Sequence, residues 1–191
     1  MRIAAIDYSV NGPSICIFNT DNDFRFDNCI FHFMTQKKKH EICHKNIYGE
    51  HVNRKDYQDK NPVVWYDRVS NWALKVLSME GVEYVFLEDY AFSKSSRSTT
   101  VLAENGGILK IKLHNFGIGF EQVPSTKWKK HSIDMGNAGK DFIFGCLDKD
   151  VQKSLIEKFD VKPGNSPISD IADSYFLCKY GVDTIRKKHY N

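Results

Sequence analysis

The 191-residue sequence lacks the features that mark membrane-spanning, secreted and low-complexity proteins. No apolar run approaches the roughly 20 residues that a membrane-spanning helix needs. The N-terminus enters a strand-like segment directly, so we expect no signal peptide. The five cysteines are odd in number and widely scattered, which is not the pattern of a disulfide framework and favours reduced thiols. These absences predict a cytoplasmic protein.

A strong excess of one charge is also missing. The formal net charge is only +3, so a polyanionic partner would have to meet a local basic patch instead of a global field. The share of hydrophobic residues, 41%, and of charged residues, 27%, is typical of a globular protein. The length then predicts one domain that spans residues 1–191.

The first segment predicts a strand at the centre of a sheet. Residues 3–6 are all apolar, as in strands that are buried on both faces, and Asp7 follows them directly. An unpaired carboxylate in such a place costs several kcal/mol, on the order of the desolvation penalty of a charge. Asp7 therefore either caps the polar turn that follows or faces a cation or a reacting group.

Two further strands are predicted at residues 15–18 and 24–34, joined by a polar turn at residues 19–23. The first three strands should therefore be antiparallel. Residues 35–61 are rich in lysine and histidine and have little apolar periodicity, so we expect an exposed basic insertion that lies against a phosphate backbone.

Within this insertion, His40, Cys43 and His44 suggest a zinc site. Their spacing matches no structural zinc motif, and a fourth ligand is not evident. A solvated loop is the favoured interpretation.

A helix is predicted over residues 62–78 from the spacing of its apolar residues. Trp65 and Trp72 lie seven residues apart on nearly the same face, and either belong to the core or form a contact with a second copy, which is slightly favoured. A buried strand at residues 82–87 then ends on Glu88 and Asp89. Side chains alternate along a strand, so only one of the two acids can face a site.

The following segments carry candidate nucleic-acid contacts. Residues 93–98 form a polar loop, and a helix is predicted over residues 99–116, in which Gly106 and Gly107 indicate a close approach to backbone or ligand. A short strand at residues 120–123 precedes a basic segment. Its lysines alternate with Trp128 and precede Gly136 and Gly139, which is typical of a phosphate-binding loop: Lys127, Lys129, Lys130 and Lys140.

After predicted helices at residues 140–146 and 149–159, the last helix begins with Ser166 as N-cap and Pro167. Gly181 is expected to end it. Asp170 and Asp173 lie three residues apart and therefore on one face, where two like charges destabilise a helix. If these acids converge with Asp7 and Glu88, divalent cations such as Mg²⁺ or Mn²⁺ are needed to hold them together.

The order of these elements resembles the RuvC family of Holliday junction resolvases, in the RNase H-like superfamily. The resemblance runs from the strand that ends at Asp7 to the Asp170-x-x-Asp173 helix, and includes the strand that ends at Glu88 and the two lysines, Lys129 and Lys140, with a glycine between them. It implies an α/β fold with a central mixed five-stranded sheet flanked by helices. The long insertion at residues 35–61 resembles the divergent phage and viral branches, so the protein would act in a bacterial cytoplasm or an infected host cell.

The resemblance further implies a function. Asp7, Glu88, Asp170 and Asp173 would hold two Mg²⁺ ions, with Mn²⁺ as an alternative, and a homodimer would nick branched DNA symmetrically by two-metal hydrolysis. Other contacts to DNA are expected from the lysines of the basic segment, from two cations of the polar loop and from an aromatic wedge: Lys127, Lys129, Lys130, Lys140, Lys94, Arg97, and Tyr90 or Phe92. The alternatives are a broader flap or RNA–DNA hybrid nuclease, or a junction-binding module without cleavage.

Overall fold

The computed structural model describes residues 1–57, 61–89 and 96–189. Within these ranges the strands are β1 (Arg2–Asp7), β2 (Ser14–Asn19), β3 (Ile30–Thr35), β4 (Ile42–His44), β5 (Ile47–His51), β6 (Tyr84–Glu88) and β7 (Gly119–Val123). The α-helices are α1 (Pro62–Met79), α2 (Ser96–Asn115), α3 (Ser125–Ile133), α4 (Lys140–Gly145), α5 (Lys149–Phe159) and α6 (Ile168–His189). None of the described helices is long and apolar enough to cross a bilayer.

The strands form one mixed sheet in the order β4-β5-β3-β2-β1-β6-β7. β1 and β2 are antiparallel, as are β2 and β3, which confirms the prediction for the first three strands. β1 also pairs with β6 in parallel, and β6 pairs in parallel with β7. β1 is central because its four apolar residues are completely buried, and parallel pairing places its carboxyl end beside that of β6.

The expected number of strands was wrong, because the described part of the chain contains seven rather than five. The additional strands lie in residues 35–61, which were expected to form an exposed insertion. β5 instead pairs in parallel with β3, and β4 continues the sheet beyond β5. β4 and β5 have only three and five residues, which is too few to show an apolar period. The sequence also shows no sign that Gly49 of β5 lies against the Phe33 ring, where a Cβ would collide with it.

The beginning of the third strand was also wrong. β3 begins at Ile30 instead of residue 24, and residues 26–28 form a single 3₁₀ turn. The side chain of Asn28 donates a hydrogen bond to the carbonyl of Asp23 at 2.9 Å, and Phe26 stacks on Phe31 with ring centroids 4.4 Å apart. Phe26, whose spacing predicted a strand, therefore lies in a turn that packs against the sheet.

Helices cover both faces of the sheet. α1 packs against α2 on one face, and α6 crosses the other face, in contact with β1 and β2 and with α3 and α4. Trp65 and Trp72 are only 2% and 3% exposed, and they lie in the core between α1 and the sheet. The interpretation of these two residues as a contact between copies was therefore wrong, since a surface helix can carry its bulkiest side chains inward.

Gly181 does not end α6, which continues to His189. The glycine is buried, and a Cβ at this position would collide with the Phe86 ring of β6. Its role is thus to let the helix approach the sheet closely. Gly107, which was expected to serve such an approach, has no described atom within 4 Å of the position of a Cβ.

This difference predicts opposite effects for two substitutions. Gly181→Ala should lower the free energy of unfolding by about 1–3 kcal/mol, because overpacking against Phe86 outweighs the better helix propensity of alanine. Gly107→Ala should raise it by about 0.5–1 kcal/mol, because the space is open. Urea unfolding of both variants measures this, and an unaltered or more stable Gly181→Ala protein would contradict the close packing.

Candidate active site

Four carboxylates meet at the carboxyl ends of the central parallel strands. Asp7 ends β1 and Glu88 ends β6, and they are neighbours because Ile6 pairs with Leu87 in the parallel register. α6 brings Asp170 and Asp173 to the same place because it packs across β1. One oxygen each from Asp7, Asp170 and Asp173 lies within 4.8 Å of the others. The predicted convergence of the acids is therefore present in the structure.

Two contacts hold α6 in this position, one directly after its acids and one near its C-terminal end. The hydroxyls of Ser14 on β2 and Ser174 on α6 are hydrogen-bonded at 3.0 Å, and both residues are completely buried. At the other end of α6, Arg186 donates to the carbonyl of Thr20 at 3.1 Å. The helix is therefore anchored to β2 and to the turn that follows β2, which sets the position of its acids relative to Asp7.

The carboxylates strongly perturb one another. Asp170 and Asp173 are 7% and 8% exposed. Burial and the neighbouring charges of Glu88, Asp173 and Asp170 raise the pKa of Asp7 well above its ordinary value. Burial, and then the charge of Glu88, raises the pKa of Asp173 to about 7. The pKa of Glu88 is also raised, chiefly by burial.

Lys140 partly compensates this negative charge. Its Nζ donates a hydrogen bond of 2.8 Å to Oδ1 of Asp170. Burial lowers the pKa of Lys140, but the charges of Asp170, Asp173 and Asp7 outweigh this effect and raise it. Lys140 lowers the pKa values of Asp7, Glu88 and Asp173, as Lys129 does for Glu88 and Asp173, but burial outweighs these charges and the three pKa values remain raised.

The ligand atoms fit a hard divalent cation. Oδ1 of Asp173 is buried and has no hydrogen-bond partner among the described residues, so a coordination position is available on it. All atoms that converge here are carboxylate oxygens, the ligands that Mg²⁺ and Mn²⁺ prefer. Among the described residues, Asp7, Asp170 and Asp173 are the acids, histidines or cysteines that lie close enough together, in a group of three, to hold a metal ion.

Glu88, and not Asp89, faces the site. Oε1 of Glu88 accepts a hydrogen bond from Nε1 of Trp128 at 3.2 Å, and Glu88 lines the same cleft as the three aspartates. Asp89 accepts a hydrogen bond from Gln122 at 3.1 Å and does not line the cleft. The alternation of side chains along β6 therefore separates two neighbouring acids.

Trp128 was missed as a member of the site. It was expected to alternate with lysines in a phosphate-binding loop, but it is completely buried, and its N–H is directed at Glu88. The hydrogen bond holds the carboxylate in place and partly offsets the rise of its pKa. A tryptophan in a segment rich in lysine gives no signal of this role, because the partner is 40 residues away in the sequence.

The acids lie in an open cleft of about 1180 Å³. Its walls carry cations as well, and the lysines Lys129 and Lys140 stand beside the acids. Nζ of Lys129 lies 5.4 Å from the centre of the Trp128 ring and donates to the carbonyl of Ala138 at 3.2 Å. A cleft with acids at its floor and ammonium groups at its rim suits a phosphodiester that is bound through metal ions.

No protein-family model matches the sequence, and the search of curated proteins found no match. Among solved structures, the chain is similar to RuvC of Thermus thermophilus, with a TM-score of 0.58 and 14% identity over 95% of this chain and 98% of that chain. The chain has the fold of RuvC. This confirms the predicted RNase H-like fold and the resemblance from which it came.

Two further RuvC-like structures contain DNA. T. thermophilus RuvC in complex with a Holliday junction substrate matches with a TM-score of 0.55 and 10% identity, over 96% of both chains. Fowlpox virus resolvase with substrate Holliday junction DNA matches with a TM-score of 0.50 and 18% identity, over 97% of this chain and 99% of that chain. The similarity thus extends over nearly the whole RuvC-like chain in each case.

The cleft does not include every predicted DNA contact. Lys127 lies over the ring of Tyr180 at 5.4 Å, and Lys130 donates to the carbonyl of Asp134 at 3.0 Å, both outside the cleft lining. Tyr90, Phe92 and Lys94 lie outside the described residues, and Arg97 is described only as part of the first turn of α2.

The histidines and the cysteine of the suggested zinc site do not converge on a site either. His40 is buried against Phe159, whereas Cys43 and His44 are exposed on β4.

The raised pKa of Asp173 predicts how stability depends on pH. Its stabilising contribution is present below the unfolded pKa of 3.8 and is lost as the pH rises through about 7. In chelator at pH 8, the free energy of unfolding of Asp173→Asn should therefore exceed that of the wild type by on the order of 2–4 kcal/mol, so that the variant unfolds at a higher temperature. The two proteins should converge near pH 4. Thermal unfolding across this pH range measures the effect.

Asp89→Asn is the matched control, because its carboxylate is outside the cleft. It should not reproduce the stabilisation at pH 8. Parallel pH profiles for wild type and Asp173→Asn would show that the pKa of Asp173 is not raised in the folded protein.

Proposed function

We propose that the protein is a metal-dependent endonuclease that resolves Holliday junctions and other branched DNA by paired, symmetric nicks. The observation that carries the proposal is the convergence of four acids at the carboxyl ends of β1 and β6, in a cleft with Lys129 and Lys140. The fold supports it, because the RuvC and fowlpox virus structures that resemble this chain were solved with Holliday junction DNA.

Asp7 and Asp173 are well placed to hold metal ions, together with Asp170 and Glu88. Two bound Mg²⁺ or Mn²⁺ ions would supply an activated water and neutralise the charge on the leaving 3′ oxygen, giving a 5′-phosphate and a 3′-hydroxyl. The ionised acids supply the negative charge that attracts the ions. Without a cation, the raised pKa values of Asp7 and Asp173 favour their protonated forms, and a bound cation would favour the ionised forms. Trp128 keeps one oxygen of Glu88 fixed, so the acid presents the other to the cleft.

The two lysines act on the DNA. Lys140 has a half-exposed side chain and holds its ammonium in the cleft through Asp170. Lys129 stands over Trp128 on the side of Glu88. Both are placed to contact the phosphates next to the cleaved bond, which positions the substrate without reading its sequence.

A junction-binding module without cleavage is disfavoured by the charge of the cleft. Four acids repel phosphates, and burial raises the pKa values of Asp7, Glu88 and Asp173 at a cost in folding stability. A pure DNA binder gains nothing from such a group. Cleavage of labelled four-way, flap, duplex and RNA–DNA hybrid substrates, with Mg²⁺ and with chelator, separates the resolvase from a broader nuclease and from this module.

Conversion of each acid to its amide should stop cleavage without preventing binding. Asp7→Asn, Glu88→Gln, Asp170→Asn and Asp173→Asn should each lower the cleavage rate by roughly a hundredfold or more, because each removes an anionic ligand from the metal site. Junction affinity should stay equal or increase, since repulsion falls. Single-turnover cleavage and gel-shift titrations provide the two measurements.

Asp89→Asn is again the control and should cut at nearly the wild-type rate. An amide variant that cuts like the wild type would remove that acid from the site.

We also propose that the protein acts as a homodimer. A Holliday junction is two-fold symmetric and needs two nicks, whereas each chain holds one described group of acids. The most exposed large apolar side chains of the described residues lie at the end of α1, on α2 and directly after α2: Met79, Ile111 and Phe116. Such side chains are suited to a contact with a second copy.

Light scattering at micromolar concentration should therefore give twice the mass of one chain, and Ile111→Glu or Phe116→Glu should lower it. Lys75→Glu, at an exposed polar position of α1, is the control. A monomer that still makes both nicks in concert would contradict the dimer.

A further inference from the structure

The cleft has a second cationic wall, formed by Lys37 and Arg54 together with the polar residues Gln36 and Asn11. Lys37 follows β3 and Arg54 follows β5, so this wall lies on the β3 side of β1. Lys129 instead follows β7, on the other side of β1. The acids at the end of β1 are therefore flanked by positive charge from both directions.

Arg54 is held in position by uncharged groups. Its Nη1 donates a hydrogen bond of 2.7 Å to Oδ1 of Asn11, and its guanidinium lies 5.7 Å from the centre of the Trp65 ring. No described carboxylate lies within 4 Å of Arg54, although Glu104 also lines the cleft. An arginine that is half-buried and fixed, and that forms no ion pair with a described carboxylate, is suited to an anion from outside.

The second wall is directly connected to the acids. Oδ1 of Asn11 accepts from both Arg54 and Gln36, at 2.7 and 3.2 Å. The next residue, Gly12, lies so close to the acids that a Cβ on it would be 4.0 Å from Oδ2 of Asp170. A ligand that contacts Arg54 would thus lie near the four acids, since only Asn11 and Gly12 connect the two places.

We propose that Arg54 and Lys37 form a second phosphate-binding subsite for the DNA backbone, apart from the phosphates that Lys129 and Lys140 contact. The inference rests on the proposed function, since it names a further part of the same substrate. The bidentate fork of Arg54 binds one phosphate, and Lys37 provides a second positive charge at the rim. Its ligand is a backbone phosphate of either the cleaved strand or the strand that exchanges at the branch.

Equilibrium binding in chelator tests the subsite without cleavage. Four-way junction, duplex and single-stranded oligonucleotides are titrated over a range of salt concentrations. Arg54→Ala should weaken junction binding about tenfold and reduce the slope of log K against log salt by about 0.9, because one phosphate contact is lost. Lys37→Ala should reduce the slope in the same direction.

Three variants separate contact from folding. Arg54→Lys keeps the charge and should keep most of the slope. Asn11→Ala removes the hydrogen bond that holds Arg54 but no charge, so the slope should remain as in the wild type. Lys75→Ala removes an exposed cation of α1, about 13 Å along the helix from the cleft residue Tyr66, and should leave affinity and slope unchanged.

The pattern of losses identifies the strand. A loss confined to the junction assigns the subsite to the exchanging strand, and an equal loss on all three DNAs assigns it to the cleaved strand. A wild-type slope in Arg54→Ala, or an equal loss in Lys75→Ala, would overturn the subsite. Cleavage with Mg²⁺ is scored separately: wild-type protein that binds through Arg54 but does not cut refutes the nuclease and leaves the subsite in place.

Discussion

Electrostatic repulsion among four carboxylates is the constraint on which this structure depends. Asp7, Glu88, Asp170 and Asp173 are held together by a central strand, its parallel neighbour and a helix that crosses both. Lys140 offsets only part of their charge, and burial together with the charge of Glu88 raises the pKa of Asp173 to about 7. Rigid packing opposes this repulsion, through the fully buried β1 and the close approach of α6 at Gly181.

The parts of the site that could be predicted from the sequence are those that follow from local pattern. Runs of apolar residues that end in an acid predict buried strands with carboxylates at their ends, and Asp170 and Asp173 share a face because they are three residues apart. Parallel strands place their carboxyl ends together, so the convergence followed from the order of the elements. The choice between Glu88 and Asp89 remained open because the direction of a side chain depends on the twist and pairing of β6.

The parts that could not be predicted depend on contacts between distant segments. β4 and β5 are too short to show a period, and they become strands only by pairing with β3. Trp128 carries no local sign that its N–H reaches Glu88, and Trp65 and Trp72 have the spacing of an exposed stripe as well as that of a core. The position of Arg54 in the cleft could not be predicted either, because it depends on a hydrogen bond to Asn11, 43 residues earlier in the sequence.

The hydrogen bond between Ser14 and Ser174 spans 160 residues of sequence, and it joins the segments that carry the first and last acids. During translation, the growing chain therefore contains Asp7 and Glu88 well before Asp170 and Asp173 have been synthesised. Until α6 docks, those early acids have neither their like-charged neighbours nor a complete ligand set. The order of translation thus spares the early folding of the chain the repulsion between these two acids and those of α6 until α6 has been synthesised.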